Sequence, residues 1–283
     1  MKLLCRLLAR AKGERWRLLS SAPAELGECP RWLPDGTSVY WIDIPAGVLH
    51  RTDVVTHATR SWTVGREIAA LVISGEGEAL AWVDGSIRRL DQDGRTIADL
   101  GVIPGIDQAT MRANDASWAP DGSLWITSMA RDGDSALGGV TRFDPPSAFS
   151  TIVSGIAIGN GPVFDSTRRV AYVADSKWRR VLRLALDATP DPVSFFDLTD
   201  QEGYPDGMAV DRFGNLWLAH YGAARISVWS PEGVRLRTIA TPFACPTAID
   251  LHPSENGVRA AVTCAAAGGE AGGLWGLTMP WVG

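Results

Sequence analysis

The sequence predicts an all-β fold: a six-bladed β-propeller with four-stranded antiparallel blades around a central channel. One short apolar and aromatic pattern occurs six times, with first residues at positions 39, 80, 124, 171, 216 and 260, so successive copies lie 41, 44, 47, 45 and 44 residues apart. The copies read VYWID, LAWVD, LWITS, AYVAD, LWLAH and AAVTC. Repeats of this period, each with one short apolar run, are typical of propeller blades. Helical periodicity is confined to the first dozen residues.

Each copy is predicted to form a central strand of one blade. Turn sequences precede most copies, as in Pro34-Asp35-Gly36 and Pro120-Asp121-Gly122, and these residue types favour the tight turns that join antiparallel strands. An aromatic residue recurs within the pattern, and we expect it to pack between blades and not to stack on a ligand. The aromatic residues of the pattern are Trp41, Trp82, Trp125, Tyr172 and Trp217.

The repeat predicts one propeller domain over residues 16–283, preceded by an N-terminal extension over residues 1–15. Six blades of about 45 residues each occupy nearly all of the 283 residues, which leaves no room for a second domain. The segment 16–24 is predicted to pair with the last blade. Such pairing closes the ring and removes free sheet edges.

Composition excludes several classes of partner. The formal net charge is −5, whereas proteins that bind nucleic acid carry basic patches. No run of about 18 apolar residues is present, so we expect no membrane span. The four cysteines lack CxxC spacing, and we expect reduced thiols in a cytoplasmic protein. The sequence carries no readable signal for the oligomeric state.

Polar residues recur at one position relative to the pattern. Glu28, Asn114, Asn160 and Asp206 each lie ten or eleven residues before a copy, whereas the second blade has Ala69 there. Equivalent positions in successive blades surround the same axis, so these four side chains are expected to converge at one mouth of the channel.

Two interpretations of this convergence remain open on the residues alone. Carboxylate and amide oxygens are hard ligands for Ca²⁺, Mg²⁺ or Mn²⁺, and a cation would offset the repulsion between two carboxylates; zinc fits the set less well. Alternatively, asparagine and aspartate cap turns and strand ends. Arg112 would face the same side as Asn114 in an extended segment. It would then bind an anionic or hydroxyl-rich substrate, or pair with a neighbouring acid.

The chain resembles the gluconolactonase and regucalcin (senescence marker protein) family of six-bladed propellers over about residues 16–278. The matching stretches are LGECPRW (26–32), YWIDIPAGVLHR (40–51), MRANDASWAPDGSLW (111–125), GNGPVFD (159–165), AYVADS (171–176), YPDGMAVDRFGNLWLAHYGAARI (204–226) and GGLWGL (272–277). The resemblance implies that Glu28, Asn160 and Asp206 hold one divalent metal ion. It also implies that Arg112 and Asn114 contact the substrate.

The resemblance implies a function as well, the hydrolysis of a sugar lactone such as a glucono- or pentonolactone to the aldonic acid in carbohydrate catabolism. The metal, which could be Ca, Mn, Mg or Zn, would act as a Lewis acid, and Asp206 would be the general base for the attacking water. Some family members carry a glutamate in the loop after the third copy of the pattern. Here Asp132 is the candidate to take its place as a substrate contact.

Two other functions stay open. One is a broader ester hydrolase, an arylesterase or phosphotriesterase that uses the same metal. The other is a metal-binding propeller without catalysis, against which the presence of both Arg112 and Asn114 argues. A serine hydrolase is not indicated because no G-x-S-x-G elbow occurs, and a dinucleotide site is not indicated because Gly159-Asn160-Gly161 lacks the third glycine.

Overall fold

The computed structural model describes residues 14–74, 77–186 and 192–282. Within them, 24 strands form six four-stranded antiparallel sheets in a ring, which confirms the predicted six-bladed propeller. The only helix in these ranges is one 3-10 turn (Asp200–Glu202). None of the described helices is long and apolar enough to cross a membrane. The predicted helical segment in the first dozen residues, most of the predicted extension and Cys5 lie outside the described residues.

The chain enters the propeller through β1 (Arg15–Ala24), which belongs to the last blade. In the first five blades the strands run from the axis outward in chain order. Blade 1 contains β2 (Gly27–Trp32), β3 (Ser38–Asp43), β4 (Val48–Asp53) and β5 (Thr59–Thr63). Blade 2 contains β6 (Ile68–Ile73), β7 (Ala79–Val83), β8 (Ser86–Leu90) and β9 (Thr96–Val102). Blade 3 contains β10 (Met111–Trp118), β11 (Leu124–Ala130), β12 (Gly138–Asp144) and β13 (Ala148–Ile156).

The second half of the ring repeats this arrangement. Blade 4 contains β14 (Gly159–Asp165), β15 (Val170–Asp175), β16 (Arg180–Ala185) and β17 (Val193–Asp197). Blade 5 contains β18 (Tyr204–Val210), β19 (Leu216–Tyr221), β20 (Arg225–Trp229) and β21 (Arg235–Ala240). Blade 6 contains β22 (Pro246–Ser254), β23 (Gly257–Cys264) and β24 (Gly272–Met279), and β1 is its outer strand. The inner strands β2, β6, β10, β14, β18 and β22 contact one another in this order around the channel.

The two ends of the described chain complete one sheet. β1 pairs antiparallel with β24, with Arg15 opposite Thr278 and Leu18 opposite Trp275. Leu19 is buried in the cluster between blades 1 and 6. The prediction that the segment 16–24 closes the ring is therefore confirmed. Because the first and last blades are tied together, the inner strands are held around one channel.

The repeated pattern builds the core between blades. Every copy lies in the second strand of its blade, and Trp41, Trp82 and Trp217 are at most 2 % exposed. Trp82 belongs to a cluster with residues of blade 3 such as Leu124 and Phe143, so its ring fills the space between two blades. The prediction that these aromatic side chains pack between blades is confirmed.

All six inner strands are irregular near the residues that the repeat singles out. The pairing with the second strand is interrupted between Glu28 and Arg31, Ala69 and Val72, Ala113 and Ala116, Asn160 and Val163, Pro205 and Met208, and Pro246 and Ile249. Bulges of this kind bend a strand and redirect side chains, and they are common next to functional sites. At three of them Cys29 (φ 47°), Ala70 (φ 52°) and Gly161 (φ 77°) adopt left-handed backbone conformations. In four of the six blades the bulge lies beside a polar residue that lines the channel mouth, namely Glu28, Asn114, Asn160 or Asp206.

Candidate metal and substrate site

One mouth of the channel opens into a cavity of about 370 Å³. The structure brings five predicted site residues together in its lining: Glu28, Arg112, Asn114, Asn160 and Asp206. The remaining lining residues are Leu26, Met129, Gly133, Ile158, Ser176, Lys177, Tyr204 and Tyr221. The predicted convergence of the four polar side chains at one mouth is thus observed, and Arg112 faces the same side as Asn114, as expected for an extended segment.

The two carboxylates of the cavity are buried. Glu28 is 6 % exposed and Asp206 is 7 % exposed. Burial, followed by the negative charge of Asp115, raises the pKa of Glu28 to about 8. Burial, then the charge of Glu28, also raises the pKa of Asp206 well above its ordinary value. Two desolvated carboxylates that repel one another are unfavourable unless a cation compensates them, so their electrostatics fit a metal site.

The amide groups of the cavity have fixed orientations. Arg112 Nη1 donates to Asn114 Oδ1 at 2.6 Å, and Asn114 Nδ2 donates to Asn160 Oδ1 at 2.9 Å. Asn160 Nδ2 in turn donates to Ser176 Oγ at 2.8 Å, and the Ser176 hydroxyl donates to the carbonyl of Pro205. Because the nitrogen of Asn160 is bound to Ser176, its oxygen is the atom presented to the neighbouring site residues.

The donor set fits a hard divalent cation. Two carboxylates and one amide oxygen, from Glu28, Asp206 and Asn160, are the ligand types that Ca²⁺, Mg²⁺ and Mn²⁺ prefer. In the ranges that the structure describes, no three His, Cys, Asp or Glu side chains come together as a metal site. A metal at this mouth would therefore depend on the amide oxygen of Asn160 in addition to the two carboxylates.

Ser176 is a site residue that the repeat did not indicate. It is 5 % exposed and links Asn160 in blade 4 to the carbonyl of Pro205, which directly precedes Asp206 in blade 5. Its only sequence signal is that it follows the fourth copy of the pattern within the AYVADS stretch.

We expect Ser176→Ala to weaken divalent-metal binding by ~10-fold, because partners that orient metal ligands typically contribute 10- to 100-fold in affinity. Calorimetric titration of the metal-stripped variant with Ca²⁺ would measure this effect. Ser227→Ala is the matched control, since Ser227 is also buried and, among the described residues, its hydroxyl bonds His220 and Trp229, outside the cavity. An unchanged dissociation constant in Ser176→Ala would contradict the orienting role.

Glu67 is a second residue near the site that the repeat did not indicate. It comes from blade 2, and its Oε1 lies 3.9 Å from Arg112 Nε. Arg131 binds the same carboxylate through two hydrogen bonds of 2.7 and 3.1 Å. Glu67 precedes the buried Ala69 by two residues, so the fixed offset from the pattern missed it. Arg112 thus both faces the cavity and pairs with an acid, and the two interpretations of this residue are compatible.

Asp132 is not brought together with the other predicted residues. It lies in the turn between β11 and β12, where it accepts hydrogen bonds from the Ser135 hydroxyl at 2.6 Å and from the Asp134 N–H at 2.8 Å. These bonds, first that of the Ser135 hydroxyl, lower the pKa of Asp132 to about 2. Its side chain does not line the cavity. A direct substrate contact by Asp132 stays a prediction.

The rim of the cavity combines charged, aromatic and apolar groups. Lys177 forms an ion pair with Asp134 across the gap between blades 3 and 4. Tyr204 and Tyr221 are cross-strand neighbours in blade 5, and the guanidinium of Arg179 stacks on Tyr204 at 4.1 Å from the ring centroid. Half-buried apolar side chains complete the wall: Leu26, Met129 and Ile158. This rim can contact both hydroxyl groups and C–H faces of a small ring.

A larger groove of about 550 Å³ lies at the seam between blades 1 and 6. Three arginines, Arg15, Arg17 and Arg259, line it together with apolar side chains such as Trp16 and Trp32. Its described lining contains no carboxylate, and none of the predicted site residues lies there. The mouth of the channel is therefore the candidate site.

The chain is similar to several proteins of known name. It is 32 % identical over 230 residues to a pentonolactonase of Haloferax volcanii. The aligned region covers 79 % of this chain and 76 % of that protein. It is 28 % identical over 232 residues to a 6-deoxy-6-sulfogluconolactonase of Pseudomonas putida, with 80 % and 79 % of the two chains covered.

Solved structures agree with the fold. A luciferin-regenerating enzyme superposes with a TM-score of 0.82 at 22 % identity, covering 96 % of this chain and 98 % of the other. A calcium-binding protein named regucalcin from Agrobacterium tumefaciens gives a TM-score of 0.81 at 22 % identity, covering 96 % and 97 %. Residues 26–265 match the family described as SMP-30/gluconolactonase/LRE-like region. The chain belongs to this SMP-30/gluconolactonase family of propellers.

Proposed function

We propose that this protein is a divalent-metal-dependent lactonase that converts a sugar lactone, such as a glucono- or pentonolactone, to the aldonic acid in carbohydrate catabolism. The observation that carries this proposal is the cavity in which Glu28, Asn160 and Asp206 meet Arg112 and Asn114. The names of the pentonolactonase and sulfogluconolactonase relatives support a sugar lactone as substrate. The free thiols of Cys29, Cys245 and Cys264 support a cytoplasmic location.

The residues that would hold the metal are Glu28, Asn160 and Asp206. When bound, the metal supplies a Lewis acid that polarises the lactone carbonyl. The regucalcin relative is described as calcium-binding, which supports Ca²⁺ as one ion for this site, alongside Mn²⁺, Mg²⁺ and Zn²⁺. Asp206 would serve both as a metal ligand and as the general base.

The side chains of the cavity divide the remaining work. Asp206 accepts a proton from the attacking water while the oxygen of that water bonds to the lactone carbonyl carbon. The bond between this carbon and the ring oxygen then breaks, and the proton passes to the ring oxygen, which becomes a hydroxyl group. The guanidinium of Arg112 and the amide of Asn114 bind substrate hydroxyl groups, and their hydrogen bond at 2.6 Å fixes the positions of both. The product acid ionises, so each turnover releases one proton.

A second candidate function is the hydrolysis of esters with apolar leaving groups. The half-buried apolar side chains of the rim, Leu26, Met129 and Ile158, favour it, since such a wall would accept an aryl or alkyl group. The rest of the cavity would act in the same way on an acyclic ester as on a lactone.

Proton release from a panel of aldonolactones and aryl esters would test both functions. The protein is first stripped of metal and then supplied with Ca²⁺, Mn²⁺, Mg²⁺ or Zn²⁺. We expect lactone turnover that requires added metal. Faster turnover of aryl esters than of any lactone would favour the second candidate. Tight metal binding without turnover of either class would indicate a propeller that binds metal without catalysis.

A further inference from the structure

A buried ion pair lies among the inner strands, next to the predicted metal ligands. Arg31 Nη2 donates to Asp115 Oδ1 at 2.8 Å, and the two side chains are 19 % and 7 % exposed. Arg31 comes from β2 and Asp115 from β10, so the pair joins blades 1 and 3 across the channel. Both residues line a separate cavity of about 240 Å³. Neither residue was predicted to belong to the site.

The Asp115 carboxylate contacts the residues that directly follow two of the predicted ligands. Its Oδ1 lies 3.4 Å from the Cys29 thiol, and Cys29 follows Glu28. Its Oδ2 accepts the N–H of Gly161 at 3.2 Å, and Gly161 follows Asn160. Both Cys29 and Gly161 have left-handed backbone at the bulges of their strands. Asp115 therefore contacts a side chain of blade 1 and the backbone of blade 4 directly beside their predicted metal ligands.

Hydrogen bonds to three backbone carbonyls fix the guanidinium of Arg31. Its Nε donates to the carbonyl of Leu71 in blade 2 at 3.0 Å, and its Nη1 donates to the carbonyl of Pro30 at 3.0 Å. Its Nη2 donates to the carbonyl of Ala116 at 2.9 Å in addition to Asp115. Such a planar, multiply bonded cation cannot move away from its partner, and lysine could not reproduce these bonds.

The pair also determines the charge around the site. Glu28, Asp206 and Asp115 are three buried carboxylates, and the charge of Asp115 acts on both of the others. Arg31 supplies a compensating positive charge beside Asp115. The positive charge of a bound divalent metal would interact with this ion pair as well as with its own ligands.

We propose that the Arg31–Asp115 ion pair sets the net charge that a cation bound at Glu28, Asn160 and Asp206 meets, because its hydrogen bonds to the neighbouring backbone keep both charged groups fixed beside the site. The inference rests on the proposed function only insofar as that function places a divalent cation at Glu28, Asn160 and Asp206. It does not depend on which substrate is hydrolysed.

Calorimetric titration of metal-stripped protein with Ca²⁺ tests the sign of the charge effect. Asp115→Asn removes a negative charge and is expected to weaken Ca²⁺ binding by ~10-fold, whereas Arg31→Met leaves Asp115 uncompensated and is expected to tighten it by ~10-fold. The double variant restores neutrality, and its affinity should return to within about 3-fold of the parent protein. A pair with a merely structural role would weaken binding in all three variants, and that result would overturn the proposal.

A second readout holds even where Arg31→Met does not fold. In Asp115→Asn, binding of the trivalent ion Tb³⁺ should weaken more than binding of Ca²⁺, because the lost interaction scales with ionic charge. Equal weakening of the two ions would overturn the charge effect. The parent protein distinguishes this inference from the proposed function. If it binds none of the four divalent metals, the metal site itself is refuted. If it binds metal but the affinity of the variants changes in the opposite direction, only the inference is refuted.

Discussion

Replacement of Asp206 by asparagine is expected to reduce metal-dependent lactone turnover by ~10³-fold or more. The substitution keeps the shape of the side chain but removes a carboxylate that would serve both as metal ligand and as general base. Loss of a general base alone typically costs 10²- to 10⁴-fold. Because Asp206 is only 7 % exposed, a water molecule from bulk solvent does not readily take over its role as proton acceptor. The kcat at saturating lactone and saturating metal is the quantity to measure.

Glu28→Gln separates the two roles of Asp206. Glu28 would be a metal ligand only, so this variant should bind metal weakly but recover turnover to within ~10-fold when metal is saturating. Asp206→Asn should not recover under the same conditions. Asp211→Asn is the matched control, because Asp211 is equally buried in blade 5 but bonds Trp217 and Asn215 outside the cavity. An Asp206→Asn protein that retains a tenth of the parent kcat would contradict its role as general base.

Much of the fold follows from the sequence because a propeller repeats one unit. Each copy of the pattern is the second strand of a blade, so a fixed offset from it identifies the same point on every inner strand. This is why Glu28, Asn114, Asn160 and Asp206 could be grouped from their spacing alone. The closing strand was predictable for a different reason: a ring that is not closed would leave unpaired strand edges.

Other site residues lie outside this regularity. Glu67 reaches Arg112 from a position two residues before the expected one, and Ser176 lies after a copy of the pattern and not before it. Asp115 and Arg31 contact each other across the channel, between blades whose sequences carry no trace of the pairing. Periodicity identifies equivalent positions within blades, whereas these contacts depend on side chains that bridge different blades.

Asp132 shows why the contacts of a loop side chain are hard to predict from sequence. The sequence places an acid in the loop where family members carry one, but a loop carboxylate can bond its own turn instead of facing a cavity. Ser135 and Asp134 provide these partners within three residues. The inner-strand bulges are equally hidden, because the left-handed backbone of Cys29 occurs at a residue type that gives no warning of it.

The affinity for divalent metal is expected to rise steeply from pH 6 to pH 8. Burial and then the charge of Asp115 raise the pKa of Glu28 to about 8, so in the metal-free protein this carboxyl is largely protonated at pH 6. Metal binding requires the ionised form and releases the proton. A group with this pKa is half ionised at pH 8 and about 1 % ionised at pH 6, so affinity should change by ~50-fold. Titrations with Ca²⁺ in buffers of constant ionic strength would measure this change.

The same group makes thermal stability depend on pH differently with and without metal. In chelator, the folded protein holds a proton on Glu28 that the unfolded chain loses near its ordinary value of 4.5, so stability is lost as pH rises toward about 8. With saturating Ca²⁺, stronger binding at higher pH opposes this loss, so the difference in melting temperature between the two conditions should widen from pH 6 to pH 8. Glu28→Gln should flatten both trends. A constant difference across this range in the parent protein would mean that Glu28 does not bind the metal.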